Sequence, residues 1–264
     1  MKEDHHEVIR RQFRRQAPRF GDRSHTVASP AYLEWMVENL DLQSHFTVLD
    51  VAAGTGLLGR AIAPYVRQVV ALDATPEMLR EGRHQAEQDG LANIVFTHGL
   101  VEDLPYPNDA FDMVVSRFAI HHFQDPRPPM SQMVRVCRPG GIVAVVDLVS
   151  PEGEAVAGTY NRLERMRDPS HTRALSATEL SRLLRDAGLD IVHTVSREVE
   201  VRVDRWFELT EPEREARRTI VEELTQDLKR LRTTGMRPFL RDKELMFLQT
   251  WVIVVGVKSE GRSG

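Results

Sequence analysis

Cysteine and long apolar runs are the features that this 264-residue sequence most clearly lacks. Its one cysteine, Cys137, can form no internal disulfide, which fits a reducing compartment, and we expect a cytoplasmic protein. Because thiolate metal clusters need three or four ligands, we also expect no metal. No apolar run approaches the roughly 18 residues that span a bilayer, and the charged start MKEDHHEVIRR is unlike a signal peptide, so we expect no membrane association.

An excess of positive charge is also missing. The chain has 35 basic and 39 acidic residues and a formal net charge of −4, so it shows no electrostatic footprint for nucleic acid. A hydrophobic content of 41% with mixed charge predicts a globular protein, and this length favours one α/β domain over two. We expect a small-molecule partner, with a monomer and a homodimer both open.

Apolar strands and helical patterns alternate through the first 150 residues. The strands are continuous apolar runs, which is typical of strands covered by helices on both faces. The alternation predicts an α/β fold with an open, mostly parallel, doubly wound sheet. The expected strands are 46–51, 68–73, 93–98, 111–116 and 141–149, and the expected helices are 4–17, 29–41, 57–65, 75–88 and 128–137, the last of which contains Cys137.

The pattern is less regular after Pro151. Residues 161–175 form a polar stretch, and a helix over 176–188 begins with Ser176 and Glu179 as a capping box. A strand is expected over 190–203 and a closing strand over 248–258. Thr210 and Glu213 predict a second capping box, which would begin a helix that ends at Gly235.

The stretch VLDVAAGTG, residues 48–56, ends the first strand and opens a loop of small residues. It also has the spacing Gly54-x-Gly56-x-x-Gly59 of a nucleotide-binding turn, in which small residues let a ligand press against the backbone. Asp73 ends the second strand, where a carboxylate can accept hydrogen bonds from a ribose diol. Such a diol occurs both in dinucleotides and in S-adenosylmethionine (SAM).

Asp50, directly below the loop, separates these two ligands by charge. A carboxylate a few ångströms from a pyrophosphate costs roughly a kcal/mol or more per charge at intermediate dielectric. SAM carries a sulfonium and an ammonium group and no phosphate. The loop therefore favours SAM, and a nicotinamide-dependent oxidoreductase is the disfavoured alternative.

Four motifs together resemble those of the class I SAM-dependent methyltransferases, in the branch similar to the ubiquinone and menaquinone C-methyltransferases. They are VLDVAAGTG, VVALDATPEML (69–79), GLVEDLPYPNDAFDMVVS (99–116) and RFAIHHFQDP, followed by RVCRPGGIVAVVDLV. The resemblance implies a Rossmann-like, seven-stranded sheet whose last strand is antiparallel, with SAM converted to S-adenosylhomocysteine. It implies one domain, divided into an N-terminal helix and lid (1–28), a SAM-binding core (29–150), two insertions that shape the substrate site (151–175 and 204–247), and a closing helix and strands (176–203 and 248–258).

The resemblance also assigns residues to the cofactor. Asp73 is implied to bind the ribose and Met78 to flank the adenine. Leu100 stands where members usually have an aspartate, so the acceptor for the adenine amino group is open among the Val101 backbone, Glu102 and Asp103. The expected cofactor-binding set is Asp50, Ala52, Gly54, Thr55, Gly56, Asp73, Ala74, Met78, Val101, Glu102 and Arg117.

Other residues are candidates for the acceptor side. Phe13 and Phe20 resemble an N-terminal lid over SAM, and the charged segment 161–173 suits recognition of a polar or anionic substrate. The expected substrate-binding residues are Phe13, Phe20, Asn161, Arg167, His171 and Arg173.

Methyl transfer needs a base only if the acceptor must lose a proton, and histidine titrates near neutrality. His121, His122 and His171 are therefore the candidate catalytic residues. The sequence leaves the acceptor open among O, N and C nucleophiles. A SAM-binding protein that transfers no methyl group, such as a pericyclase or a regulator, is the other alternative.

Overall fold

A central β-sheet organises the part of the chain that this computed structural model describes, residues 5–20 and 25–260. Its strands follow the order β3-β2-β1-β4-β5-β8-β6, and β7 pairs with β8. The strands are β1 (Thr47–Val51), β2 (Gln68–Asp73), β3 (Ile94–His98), β4 (Phe111–Arg117), β5 (Cys137–Val149), β6 (Leu189–Arg202), β7 (Phe239–Arg241) and β8 (Glu244–Lys258).

The first five strands are mutually parallel, and β8 runs antiparallel to both β5 and β6. The predicted doubly wound α/β sheet is therefore confirmed, with its antiparallel last strand. The continuous order contains the seven expected strands. The additional strand, β7, has three residues, too few to produce a recognisable alternation in sequence.

Helices cover both faces of this sheet. Val48 and Leu49 are both fully buried neighbours on β1, yet they belong to different hydrophobic clusters. Because successive strand side chains point to opposite faces, both faces of β1 are covered, as expected for a strand that is apolar apart from Thr47 and Asp50. The helices are α1 (His5–Gln16), α2 (Pro30–Glu38), α3 (Leu57–Ile62), α4 (Pro76–Gln88), α5 (Arg127–Val136), α6 (Glu154–Arg167), α7 (Ala177–Asp186), α8 (Val203–Thr210) and α9 (Arg214–Leu228).

The segment after Pro151 differs from the prediction. Helix α6 covers much of the stretch expected to be irregular, and its buried face mixes Tyr160 and Leu163 with Asn161, Glu164 and Arg167. Those polar side chains concealed the helical apolar pattern. Farther on, the Ser176–Glu179 capping box is confirmed at the start of α7.

The expected second capping box is wrong. Thr210 is the last residue of α8, and Glu213 precedes α9 without a side-chain cap. Glu211 between them has a left-handed φ of +47°, so the chain turns where one continuous helix was predicted. Cys137 is also displaced, since it is buried as the first residue of β5 and lies outside α5.

The parallel strands place their carboxyl ends along one edge of the sheet. The order of the strands reverses at β1, because β2 and β3 lie on one side of it and β4 and β5 on the other. Ligands of doubly wound sheets bind at the carboxyl ends of the strands beside such a reversal. Helix α1 contacts α4 and α8 near this edge. Within the described ranges, no helix combines the length and apolar character needed to cross a membrane.

Candidate active site

The loop after β1 depends on unusual backbone angles. Ala52, Gly54 and Gly56 have φ values of +51°, +59° and +66°, and Gly56 directly precedes α3. Left-handed backbone costs a non-glycine residue roughly 1–2 kcal/mol. Ala52 carries that strain at the position where the resembled family often has glycine.

Gly56→Ala should lower the free energy of unfolding by about 2–4 kcal/mol, measured by urea denaturation. An added Cβ would lie 2.8 Å from a ring carbon of Phe96, in addition to the left-handed strain. Gly90→Ala is the matched control, because its φ is +69° but nothing lies within 4 Å of the added Cβ. That control should lose only about 1 kcal/mol. Equal losses in the two variants would contradict the role given to the Phe96 contact.

Asp73 anchors the loop from the end of β2. One carboxylate oxygen accepts the Gly54 N–H at 2.8 Å, and the other accepts the Thr75 N–H at 2.7 Å. Burial raises the pKa of Asp73, although these two backbone donors act to lower it. Since each carboxylate oxygen can accept more than one hydrogen bond, the group can still receive ligand hydroxyls.

The surroundings of the Asp50 carboxyl group differ from those that its position in the sequence suggested. One oxygen accepts the Gly59 N–H at 3.0 Å, and the other is buried without a hydrogen-bond partner among the described residues. Burial raises the pKa of Asp50 to about 7, against the lowering effects of the Gly59 N–H and the Arg117 guanidinium. A carboxyl group with such a pKa excludes anions less strongly than the sequence argument assumed.

A cavity of about 770 Å³, its open mouth included, lies over this loop. We call it the loop cavity. Seven of the predicted cofactor-binding residues line it, namely Ala52, Gly54, Asp73, Ala74, Val101, Glu102 and Arg117. Asp50, Thr55, Gly56 and Met78 are buried around the loop and do not line the cavity. Glu102 lines it and Asp103 does not.

Helix α1 covers the loop cavity. Ile9 and Phe13 project into its lining, and Phe20 lies 3.6 Å from the Cβ position of Gly54. The imidazole Nε2 of His5 lies 2.9 Å from both the His122 carbonyl oxygen and the Thr172 hydroxyl. Both predicted lid aromatics thus lie at the site, while part of the predicted 1–28 segment falls outside the described residues.

A second cavity, of about 760 Å³ with its mouth, adjoins the first. We call it the aromatic cavity. Four side chains line both cavities and form the junction between them: Phe13, Phe20, Phe118 and His122. Arg167 and Asp168 from the end of α6 line the aromatic cavity, as do Arg205 and Trp206 from α8.

His121 forms a buried pair with Asp147. The Nδ1 of its ring lies 2.5 Å from one Asp147 oxygen, and its backbone N–H donates to the other at 3.2 Å. Burial acts to lower the pKa of His121, but the negative charge of Asp147, with those of Glu164 and Asp168, raises it overall. The ring lines the aromatic cavity.

His122 stays neutral beside it. Its Nδ1 lies 3.0 Å from the Ser170 carbonyl oxygen, and because that oxygen only accepts, Nδ1 carries the proton and Nε2 has a free lone pair. Burial, followed by the charge of His121, lowers the pKa of His122 to about 4.

His171 and Asn161 line neither cavity. His171 Nε2–H donates to the Asn161 side-chain oxygen at 2.8 Å, which also accepts the Ala174 N–H at 2.6 Å. Burial lowers the pKa of His171, and the nearby His121 and His122 add to that effect. This arrangement suits a structural anchor, although the predicted substrate contacts of both residues remain untested.

The two arginines expected to bind substrate have different positions. Arg167 is buried at the aromatic cavity, pairs with Glu164 at 3.1 Å and lies over the Trp206 ring at 4.9 Å. Arg173 is about half exposed, pairs with Glu179 at 2.5 Å and lines neither cavity.

Several residues at or next to the aromatic cavity were not predicted from the sequence. Trp251 and Gln249 come from β8, whose apolar run predicted only sheet core. Asp147 lies inside β5, in the motif RVCRPGGIVAVVDLV, which assigned it no role. Its position after a long apolar run, opposite two histidines, was the only available signal.

Residues 48–141 match the protein family described as "Methyltransferase domain". By sequence the chain is 37% identical over 144 residues to an uncharacterized methyltransferase, YcgJ, of Bacillus subtilis (54% of this chain, 57% of YcgJ). It is 32% identical to the uncharacterized protein YafE of Escherichia coli (54% of this chain, 70% of YafE) and 32% identical to a demethylmenaquinone methyltransferase of Clavibacter sepedonicus (49% and 52%). The chain thus spans about half to two thirds of the lengths of these relatives.

The crystal structure of YcgJ extends the similarity. It superposes with a TM-score of 0.78 at 28% identity and covers 88% of this chain and 99% of its own. The shared architecture therefore includes the segments beyond residue 141.

Proposed function

The chain belongs to the class I SAM-dependent methyltransferases, and from that premise we propose that it transfers the SAM methyl group to a small-molecule acceptor. The observation that carries this proposal is the shared wall between the loop cavity and the aromatic cavity. Two adjoining cavities suit a methyl donor and an acceptor, because transfer requires the two reactants to meet at one point. Similarity to demethylmenaquinone methyltransferases supports the quinone-methyltransferase-like branch.

The loop cavity fits SAM on the chemistry of its lining. Backbone of Ala52 and Gly54 leaves room for a ligand, and the Asp73 carboxylate can accept the two ribose hydroxyls. Arg117 offers a cation for the carboxylate of an amino acid. Burial lowers the pKa of Arg117 to about 10, while Asp50 and Asp147 act to raise it, so it stays charged at neutral pH.

Adenine recognition is assigned to the segment after β3. Val101 and Glu102 line the loop cavity, so we propose them over Asp103 as replacements for the family's aspartate. Met78 is fully buried on α4, and its contact with the adenine is retained as part of this proposal.

SAM supplies an electrophilic methyl group on a sulfonium when it is bound. The chain's own contribution is positioning and exclusion of water. Helix α1 covers the donor site, and its ion pair between Arg14 and Glu77 at 3.0 Å ties it to α4. The two predicted insertions contain α6 and most of α8, whose side chains line the aromatic cavity on the acceptor side.

Incubation with labelled SAM and a metabolite mixture should yield S-adenosylhomocysteine together with a methylated product. Both SAM and S-adenosylhomocysteine should raise the melting temperature, whereas NAD and FAD should not, since only ligands of the native state stabilise it. Stabilisation by SAM without turnover across a broad acceptor library would instead favour a binding protein that transfers no methyl group. Stabilisation by NAD alone would overturn the family-based proposal.

A further inference from the structure

The residues that line the aromatic cavity indicate the chemical class of the acceptor. Five phenylalanine and tryptophan side chains line it: Phe13, Phe20, Phe118, Trp206 and Trp251. Flat aromatic ligands stack on or meet the edges of such rings with favourable geometry. The body of the acceptor should accordingly be planar and largely apolar.

The same lining also contains charged side chains. Arg167 and Arg205 contribute two guanidinium groups, against the single carboxylate of Asp168. These groups are paired, Arg167 with Glu164 and Asp168, and Arg205 with Glu208 at 2.8 Å. The guanidinium charges are therefore balanced by neighbouring carboxylates, and this lining suits an acceptor whose body is uncharged.

A base is available at the inner wall of the cavity. His121 engages Asp147 through Nδ1, which leaves Nε2 without a partner among the described residues. An imidazole held in this way by a carboxylate can take up a proton at Nε2, because the carboxylate stabilises the resulting imidazolium.

The groups around His121 favour transfer of a proton from the acceptor to the His121 ring. The carboxylates of Asp147, Glu164 and Asp168 favour its charged form, while the rings of His122 and His171 are held neutral. His122 lies at the junction of the two cavities, where its free Nε2 can accept a hydrogen bond and orient a hydroxyl.

We propose that the acceptor is a planar aromatic compound with a phenolic hydroxyl, which His121 deprotonates while Asp147 positions and stabilises the His121 ring. This inference rests on the proposed methyl transfer and adds the acceptor class and the base. An oxygen lone pair of the phenolate forms the bond to the methyl carbon, and the carbon–sulfur bond breaks with its electron pair kept by sulfur. The hydroxyl proton resides on His121 Nε2 and is later released to water.

The test uses acceptors of one shape and graded acidity: a naphthol, the same naphthol with an electron-withdrawing nitro group, and the corresponding naphthylamine, within a panel of one-ring and two-ring phenols. The purified full chain should methylate phenolic oxygen and leave the amine unmodified. His121→Gln should lower kcat for the plain naphthol about 100-fold with little change in KM. It should lower kcat for the nitro compound less than about 10-fold, because that hydroxyl is already ionised.

Asp147→Asn provides an independent readout of positioning. Asp147 raises the pKa of His121, so kcat/KM of the wild type should fall as pH drops through that raised pKa. In Asp147→Asn the decrease of kcat/KM at acidic pH should occur at a lower pH than in the wild type. The value of kcat/KM on the plateau should also be smaller. His193→Gln is the matched control, since the His193 side chain is exposed, bonds Asn39 and lies outside both cavities.

The outcomes separate the two proposals. No SAM binding and no S-adenosylhomocysteine formation would remove the proposed function, and this inference with it. SAM turnover with amines or thiols but with no phenol, or a product methylated on carbon, would overturn the acceptor class alone. Equal losses for both naphthols in His121→Gln, with an unshifted pH profile in Asp147→Asn, would overturn the role of the base.

Discussion

Arg167→Met should lower the free energy of unfolding by about 3–5 kcal/mol, measured by urea denaturation. Glu164 is fully buried and depends on Arg167 and on the Gln249 amide, which donates to it at 3.0 Å. Methionine preserves much of the side-chain length over the Trp206 ring but removes the guanidinium. The loss therefore comes mainly from a buried carboxylate left without its charged partner.

Two further variants identify the source of that loss. The double variant Arg167→Met with Glu164→Gln should recover most of the lost free energy of unfolding, because it also removes the buried Glu164 carboxylate that would lack a charged partner. Arg173→Met breaks the exposed pair with Glu179 and should cost less than about 1 kcal/mol. A double variant no more stable than Arg167→Met would show that the charge pair is not the cause.

Asp73→Ala should weaken SAM binding by about 1000-fold, measured by calorimetry. The proposed ribose contacts are hydrogen bonds to a charged group, each worth about 2 kcal/mol, and two of them amount to about three orders of magnitude in Kd. The same change frees the Gly54 and Thr75 N–H groups, so melting of the ligand-free variant should be recorded to confirm that it is folded.

Asp103→Ala is the control for that experiment. Asp103 lies in the same cofactor-binding region of the chain but does not line the loop cavity, so the Kd for SAM should stay within about threefold of the wild type. A folded Asp73→Ala variant with wild-type affinity would contradict the position assigned to the ribose.

The sheet could be predicted from the sequence because each strand leaves the same local pattern, an apolar run that ends at a turn. Strands buried on both faces must be mostly apolar, as residues 48–51 of β1 and 142–149 of β5 are apart from Asp50 and Asp147, and short turns separate them. The glycine loop was predictable for a similar reason, since left-handed backbone and close ligand approach both select small residues.

The aromatic cavity could not be predicted in this way. Its walls come from α1, the segment after β4, β5, α6, β6, α8 and β8, which meet only in the folded chain. Trp206 and Trp251 satisfy core patterns equally well. Glu164 interrupts the apolar face of α6, and one of its partners, Gln249, comes from the distant strand β8. Which buried polar groups form hydrogen bonds or ion pairs with one another depends on the tertiary structure.

Asp50 shows a partial success of sequence reasoning. Its charge favoured SAM over a dinucleotide, and the family agrees with that choice. The structure, however, assigns the loop-cavity lining to Asp73 and Arg117, while Asp50 is buried beneath the loop. The proposed binding of SAM is therefore better explained by Asp73, which can accept the ribose hydroxyls, together with Arg117, which can pair with the amino-acid carboxylate.

Calorimetric titration of the wild-type chain with S-adenosylhomocysteine and with NAD tests the donor site most directly. We expect the thioether nucleoside to bind with one-to-one stoichiometry and NAD to produce no binding heat. Tight NAD binding, or no heat from S-adenosylhomocysteine with a folded protein, would contradict the donor site proposed for the loop cavity.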